Sequence, residues 1–279
     1  AAQLSPTPNR LINLGACLRQ LGQLDAAADQ LMRALATDSR IVEAHSNLGL
    51  IRVKQSRFAD AARPFQQAVV IDPKNVSHRV NLALALMNSR RSEEAIEHLQ
   101  HAIEQDPTSL VAKIYLGEVL AQTGNLTGAR ESFLEVVQQQ PDATRVWLRL
   151  AHLHERLGDY GEALACYERV QQASPGDPRL LSKMAWILAT APQAELRNGD
   201  RAVDLAEQSV QKTKRRAVEP LDALAAAYAE QGRFADAERV AREALSRIPS
   251  NGSTRATEQR AAIEARLQGY LSRVAFRAN

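Results

Sequence analysis

Three asparagines recur at a fixed interval near the start of the chain. Asn13 and Asn47 each begin the letters "NLG", and Asn81 begins "NLA", so successive copies lie 34 residues apart. A primary amide offers donor hydrogens and an acceptor oxygen that match the C=O and N–H groups of an extended peptide backbone. Asparagine is a mediocre helix former, so its return needs another reason. The interval predicts a ladder of amides for a bound peptide, and the alternative is a solvated polar face.

The asparagine stops after the third copy, and basic residues follow. The equivalent positions then hold Tyr115, Arg149 and Lys183, while Leu50 and Leu84 are among the apolar residues that accompany the asparagines. Further along the chain the same face carries Arg145, Arg149, Arg156, Arg179 and Lys183, with Trp186 beside them. Because arginine suits carboxylate and phosphate groups, this half predicts contacts with acidic residues. An ordinary solvated charged face is the alternative.

Residues suited to catalysis or metal binding do not form a recognisable site. The two histidines of "HLHE" at 152–155 fall on different faces of a helix, and His98 and His101 share a face without an evident third ligand. The sequence contains no glycine-rich phosphate loop and no nucleophile elbow. We therefore expect no metal site, no cofactor and no enzymatic activity.

The 34-residue period continues through five copies without an insertion, which is typical of stacked repeats. Apolar residues at helical spacing occupy two segments per copy, separated near Gly22, Gly124 and Gly158. Small residues such as Gly15 and Ala27 recur where the two helices would cross. Copies two to five end at Pro73, Pro107, Pro141 and Pro175. Each copy is predicted to be a helical hairpin that buries its apolar face by stacking on its neighbours.

The end of the array departs from the period. The sixth copy carries about five extra residues, including Pro192 and Asn198, which predict a longer turn between its helices. After the seventh copy, an apolar stripe on an otherwise charged helix is predicted to cap the array; it consists of Ile263, Leu267, Leu271 and Val274. The predicted boundaries are an N-terminal edge at 1–7 that is poorly ordered, repeats at 8–41, 42–75, 76–109, 110–143, 144–177, 178–217 and 218–251, and a capping helix at 254–275.

This pattern resembles the tetratricopeptide repeat over almost the whole chain. The resemblance implies an all-α, right-handed superhelical solenoid of about seven helix-turn-helix repeats with a C-terminal capping helix, in which first helices line a concave face. The asparagines, with "AHSNLG" at 44–49, resemble the ladder in the repeat domain of O-linked N-acetylglucosamine transferases. The last two repeats resemble C-terminal modules of bacterial multi-repeat proteins, which often follow other domains. The family's carboxylate clamp is not reproduced, because Ile12 and Ala16 stand in its first two positions.

One departure from the family concerns a first-helix position that is usually aromatic. Here it holds His45, Arg79 and Lys113 in the second, third and fourth copies. We expect their stems to pack and their polar ends to reach solvent. Pro64 falls inside a second helix and is expected to bend it locally.

Composition narrows the function classes. The net charge of +3 in 279 residues argues against a general nucleic-acid binder but allows a local basic patch. No apolar run approaches the length of a membrane span and no leader resembles a signal peptide, which predicts a soluble chain of unknown compartment. The resemblance to bacterial multi-repeat proteins favours bacterial cytoplasm or periplasm. The first residues suggest a cut edge or a processed terminus. Cys17 and Cys166 lie far apart in sequence and are predicted to be small buried residues, not a disulfide or metal pair.

Together these patterns predict a scaffold that binds an extended peptide or partner protein in a groove, including a partner with acidic residues. Three alternatives remain at this point. The chain could be a self-assembling oligomerisation module, or the substrate-recognition arm of a larger enzyme such as a glycosyltransferase. Single-stranded nucleic acid could also bind the basic half.

Overall fold

A computed structural model describes residues 7–249 and 253–278 of the chain. Over these residues the protein is all-α, with fifteen α-helices, one short 3-10 turn and no β-strand. None of these helices is both long and apolar enough to cross a membrane. The predicted poorly ordered edge lies outside the described residues, apart from Thr7, which precedes α1.

The chain forms two compact units, divided between Gln139 and Gln140. The first unit contains α1 (Pro8–Gln20), α2 (Leu24–Thr37), α3 (Val42–Lys54), α4 (Phe58–Ile71), α5 (Val76–Asn88), α6 (Ser92–Gln105), α7 (Leu110–Thr123) and α8 (Leu126–Gln139). The second contains α9 (Thr144–Leu157), α10 (Tyr160–Ala173), α11 (Pro178–Thr190), α12 (Gly199–Lys212), α13 (Val218–Glu230), α14 (Phe234–Arg247) and α15 (Thr254–Leu271).

The first unit is built from four hairpins. Within each hairpin the first helix packs against the second, and the second helices α2, α4 and α6 pack against the first helix of the next hairpin. First helices also contact each other, as α1 does with α3 and α5 with α7. Residues at equivalent positions of the first helices therefore lie in a row along one side of this unit.

In the first, second and fourth repeats the first helix meets the second through a glycine that faces a large residue. A Cβ atom added to Gly49 would lie 2.5 Å from the Phe65 ring, which leaves room for a hydrogen atom only. In the third repeat the large residue is Leu99 and the first helix carries Ala83, and both are fully buried. A small residue on the first helix thus lies where the two helices approach closely, which confirms the predicted helix crossing.

Residues with positive φ join the two helices of the first five repeats. Gly22, Gly124 and Gly158 adopt φ values of +78°, +89° and +79°, so the predicted turns are confirmed. Ser56 and Arg90 occupy the same position in the second and third repeats, with φ values of +58° and +64°. The left-handed region costs an L-residue roughly 1–2 kcal/mol. Helix packing in these two repeats therefore imposes the turn without glycine.

Prolines mark the repeat junctions as predicted. Pro73, Pro107, Pro141 and Pro175 each lie two residues beyond the end of a second helix. These positions stop the helix because proline lacks the N–H that the helical ladder requires. Pro64 is different, since it is buried inside α4 and the helix continues through it to Ile71.

The polar first-helix position reaches back to the junction between repeats. The His45 Nε2, Arg79 Nη2 and Trp147 Nε1 atoms lie 2.9, 3.4 and 2.9 Å from the carbonyl oxygen six residues earlier. Lys113 is buried instead, and its Nζ lies 2.7 Å from the Glu135 carboxylate. The prediction that these polar ends reach solvent is therefore wrong for Lys113, whereas the hydrogen bonds of His45 and Arg79 lie at the exposed surface. The junction carbonyls lie outside the helical ladder and need a donor, and Lys113 has a carboxylate within reach.

The second unit contains the predicted insertion and the last helix. Between α11 and α12 the chain forms a 3-10 turn at Ala194–Leu196. Asn198 then caps α12, because its Oδ1 accepts from the Arg201 N–H at 2.9 Å. α11 packs on both α12 and α13, and α15 packs on α14. The insertion is thus closed by a specific helix cap.

The apolar stripe predicted for the last helix is only half correct. Ile263 and Leu267 are buried, whereas Leu271 and Val274 are 46% and 59% exposed. α15 ends at Leu271, so Val274 lies beyond the helix. Tyr270 is buried in place of these two residues. Val274 leaves the stripe because the helix stops before its period can bring this residue back to the packed side.

The two cysteines have different environments. Cys166 is buried, and this burial raises the pKa of its thiol to about 11. Cys17 is exposed, so the prediction of two buried cysteines is wrong for this residue. Cys17 lies on α1, and no described helix precedes α1 to cover it.

The match between Gly49 and Phe65 generates a stability prediction. Gly49→Ala should lower the free energy of unfolding, because overpacking a core contact costs about 1–3 kcal/mol and exceeds the helix-propensity gain of up to ~1 kcal/mol. Adding Phe65→Leu should restore most of the loss, since the third repeat pairs alanine with leucine at these positions. Urea unfolding followed by circular dichroism measures both. A single variant as stable as the wild type would contradict the packing argument.

Candidate peptide-binding faces

The amide face of the first unit consists of Asn13, Asn47 and Asn81 with their neighbours Leu50, Leu84 and Tyr115. The asparagines lie on α1, α3 and α5, each two residues before the small residue at the helix crossing. Asn13 is exposed and the other two asparagines are half-buried. No residue in the described part of the chain hydrogen-bonds with the side-chain amides of these three asparagines. The amide face thus offers three uncommitted amides in equivalent positions.

The leucine that follows each asparagine becomes more buried along the unit. Leu14 is 47% exposed, Leu48 is half-buried and Leu82 is 1% exposed. Leu48 packs against a cluster from the first repeat that includes Ala27 and Leu31. This position therefore becomes buried only against a preceding repeat. The leucine is thus half-buried at Leu48 and buried at Leu82, but it is exposed at Leu14.

The apolar residues of the amide face are held in position by the hydrophobic core. Leu50, Leu84 and Tyr115 are half-buried and pack against a cluster of fully buried residues from the second, third and fourth repeats. Each therefore keeps part of its surface open while its position is set by the core. Such residues can receive apolar side chains of a ligand at a small cost in side-chain entropy.

The basic face of the second unit consists of Arg145, Arg149, Arg156, Arg179, Lys183 and Trp186. Arg145, Arg156, Arg179 and Lys183 are exposed, whereas Arg149 and Trp186 are half-buried. Acidic residues match part of this charge, since the Lys183 Nζ lies 2.9 Å from Glu155 and the Arg179 Nε lies 3.7 Å from Asp177. The basic face is therefore less positive than the sequence pattern suggested.

A pocket of about 490 Å³ is formed by residues of α11, α13 and α15. Arg179, Lys183 and Trp186 of the basic face line it, together with Arg255 and Arg266 from α15. The three basic residues on α9 do not line this pocket. Sequence reasoning missed the two arginines of α15, because that helix was expected only to cover the end of the array. The arginines themselves, on a helix predicted only to pack against the array, were the sequence feature that could have indicated the pocket.

Arg266 lines this pocket and forms an ion pair with Asp222, another of its lining residues. Its Nε and Nη2 donate to the two carboxylate oxygens of Asp222 at 3.1 and 2.6 Å, and both side chains are largely buried. Burial raises the pKa of Asp222, and the guanidinium opposes that rise. The guanidinium carbon also lies 5.1 Å from the centre of the Trp186 ring. Arg266 thus links α15 to α13 and supports the indole of α11 at the same time.

The histidines noted in the sequence have protein neighbours. The His101 Nδ1 lies 2.8 Å from Glu104, and the His152 ring stands edge-on to Tyr167 with ring centres 6.0 Å apart. Burial lowers the pKa of both His98 and His152. Within residues 7–249 and 253–278, no group of three or more His, Cys, Asp and Glu side chains is placed to hold a metal ion.

These repeats match models of a known family. Models of the tetratricopeptide repeat match residues 13–76, 80–144, 120–187 and 221–248. The chain belongs to the tetratricopeptide repeat family. Tetratricopeptide repeats generally mediate protein–protein interaction, and proteins built from them are generally non-catalytic scaffolds.

Solved tetratricopeptide repeat structures share the fold of this chain. The C-terminal part of a repeat-containing protein from Cytophaga hutchinsonii has 15% identity and a TM-score of 0.72, covering 89% of this chain and 98% of that chain. PilF from Pseudomonas aeruginosa has 22% identity and a TM-score of 0.60, covering 76% and 94%. YrrB, described as a protein with an unusual peptide-binding site, has 22% identity and a TM-score of 0.54, covering 61% and 88%. At these identities the likeness shows the fold alone. No curated protein sequence matches the chain.

The buried pair of Arg266 and Asp222 generates a second prediction. Arg266→Met should lower the free energy of unfolding by about 3–5 kcal/mol, because it leaves a buried carboxylate without its partner. The double variant Asp222→Leu/Arg266→Met should recover most of this loss. Arg255→Met, on the exposed part of the same helix, serves as the control and should change stability by no more than about 0.5 kcal/mol. Denaturant unfolding measures all three, and an unchanged single variant at 266 would refute the role of the pair.

Proposed function

We propose that the protein is a non-catalytic scaffold that binds an extended peptide, or an extended segment of a partner protein, on its amide face. The observation that carries this proposal is the set of three amides in equivalent positions without a hydrogen-bond partner among the described residues. Amides that repeat with the helical hairpins can bond to successive C=O and N–H groups of a peptide, whatever its side chains.

Four other asparagines of the chain use their amides within the fold, unlike the three of the amide face. Asn75 and Asn198 cap helices, and the Asn125 Oδ1 accepts from the Gly128 N–H. The Asn88 Nδ2 donates to the carbonyl of the same helix four residues earlier, at 2.8 Å. Four of the eight asparagines in the described residues thus bond within the fold. The amides of the amide face differ, and a bound backbone would satisfy them.

The basic face supplies a second element of the proposal. A partner with acidic residues would be attracted to Arg145 and Arg179, which are exposed. Exposed charges act through screened, long-range attraction, so they affect the association rate more than the dissociation rate. The description of YrrB as carrying a peptide-binding site supports the proposal, because this chain shares its fold.

The experiment tests peptides selected from a random display library against the wild-type protein. Asn13→Ala/Asn47→Ala/Asn81→Ala should weaken their binding about 100-fold, because each lost hydrogen bond costs on the order of 1 kcal/mol. The melting temperature should stay the same or rise, since alanine is the better helix former. Isothermal titration calorimetry and circular dichroism measure the two quantities.

The matched control is Asn88→Ala, which removes an exposed amide from α5 that is already bonded to its own helix. This control should bind the selected peptides as the wild type does. Equal binding by the triple variant would identify the amides as a solvated face. Light scattering on the free protein provides a further check: a concentration-dependent oligomer that disappears in the triple variant would favour self-assembly over peptide binding.

A further inference from the structure

The chain turns back on itself after α15 and lies across α11 and α13. Arg273 adopts a left-handed conformation with φ of +57°, and the Val274 N–H donates to the Gly269 carbonyl at 2.8 Å. The Arg273 N–H donates to the Tyr270 carbonyl at 3.0 Å, which completes a Schellman helix end. Residues 274–278, which we call the return segment, then continue without helical structure.

The return segment makes three kinds of contact with the helices beneath it. The Phe276 ring packs on Trp186 with ring centres 5.7 Å apart. The Ala278 N–H donates to the carbonyl of Thr190 at 2.8 Å. The Arg277 Nη1 lies 2.8 Å from the Glu230 carboxylate. An aromatic contact, a main-chain hydrogen bond and an ion pair are contacts by which a short peptide can be recognised.

Two of the three groups that receive these contacts lie at helix ends. Thr190 and Glu230 are the last residues of α11 and α13, where carbonyl groups have no donor inside the helix. A carboxylate at the C-terminal end of a helix is also unfavourable, because the helix dipole is negative there. Glu230 therefore gains from a cation, and both Arg197 and Arg277 lie beside it.

The receiving groups are held in place by contacts other than the return segment. The Asp222 carboxylate holds Arg266, whose guanidinium carbon lies 5.1 Å from Trp186 and 5.4 Å from Phe276. Arg197 donates to Glu230 at 2.9 Å and anchors the carboxylate from the other side. The surface formed by Trp186, Thr190, Glu230 and Arg266, which we call the return groove, is thus preorganised, and preorganisation lowers the cost of binding.

We propose that the return groove is a peptide-binding site for a partner segment that carries an aromatic residue followed by a basic one, and that the return segment occupies it as an internal ligand. The site lies in the second unit and does not depend on the amide face. The aromatic ring of the ligand packs against Trp186 and the Arg266 guanidinium. Its basic side chain pairs with Glu230, and a main-chain N–H reaches the Thr190 carbonyl.

The return segment is suited to exchange because few contacts hold it. Val274 is 59% exposed, and residues 275–278 are half-buried without helical hydrogen bonds. The helix before it is anchored separately by Ile263, Leu267 and Tyr270, which are all buried. Segments with few buried contacts open locally without unfolding the rest of a protein. Release of the return segment therefore leaves α15 and the return groove intact.

The test uses the full chain and the peptide acetyl-Val-Ala-Phe-Arg-Ala-amide as the probe. Phe276→Ala/Arg277→Ala empties the return groove, and Trp147→Phe leaves Trp186 as the single tryptophan, since the chain has two. The peptide should change the Trp186 fluorescence of the emptied chain in a saturable way. The chain with an intact return segment should bind it about tenfold more weakly or worse, because a tethered competitor acts at an effective concentration in the millimolar range.

Control measurements separate binding in the return groove from nonspecific binding and from binding on the amide face. A control peptide with alanine for phenylalanine and glutamate for arginine should not bind the emptied chain. Adding the triple alanine substitution of the amide face to the emptied chain should leave its affinity for the probe peptide unchanged. If Trp147→Phe destabilises the chain, isothermal titration calorimetry on chains that retain Trp147 measures the same difference in peptide affinity. Arg277→Glu is a second variant that releases the return segment, because it removes the ion pair with Glu230 and keeps Phe276.

Two results would overturn the proposal. The first is the absence of saturable binding to the emptied chain, or equal binding with and without the return segment. The second is a wild-type protein that is a dimer in light scattering and becomes a monomer in Phe276→Ala/Arg277→Ala. This result would mean that the return segment of a second copy of the chain, and not a partner peptide, occupies the return groove. Loss of peptide binding on the amide face alone leaves this proposal standing, so the two proposals fail separately.

Discussion

The close approach of the two helices within each repeat is the contact on which the rest of the structure depends. Gly49 lets the Phe65 ring lie against the backbone of α3, and Ala83 with Leu99 makes the equivalent contact one repeat later. This contact sets the position of the first helix relative to the second within each hairpin. The first helix of the next hairpin then packs against that second helix. The row of asparagines on one side of the first unit follows from that repeated geometry, because equal hairpins place equal positions at equal intervals.

Much of the fold follows from local signals that recur. The period, the glycine turns, the junction prolines and the inserted turn before Asn198 could be predicted because each is encoded by residues close together in sequence. The left-handed Ser56 and Arg90 could be located from the period, although their residue types give no such indication. Repetition thus makes up for weak local propensity, since five copies report on the same position.

Other features could not be predicted, because they depend on residues far apart in the chain. Arg266 meets Asp222 across 44 positions, and no periodic pattern relates the two. Lys113 is buried because Glu135 lies within reach, a pairing that belongs to one repeat only. The end of α15 decides that Val274 leaves the packed stripe, and helix ends are the least regular part of such a pattern. The asparagines could be found from sequence, whereas the return groove required the path of the chain after α15.

The donor position at the repeat junctions has a consequence for how such arrays can change. A histidine, an arginine and a tryptophan serve the same carbonyl position at 45, 79 and 147, although they differ in size, charge and aromaticity. Each donor lies on the first helix of a repeat. The carbonyl that it bonds to belongs to the junction just before that helix, six residues earlier. A repeat with such a donor therefore brings along the group that bonds to the junction before it, whereas the fourth repeat, which has Lys113 at this position, does not. Recombination between unlike repeats can proceed without a matching change in the neighbour, which makes this part of the repeat portable.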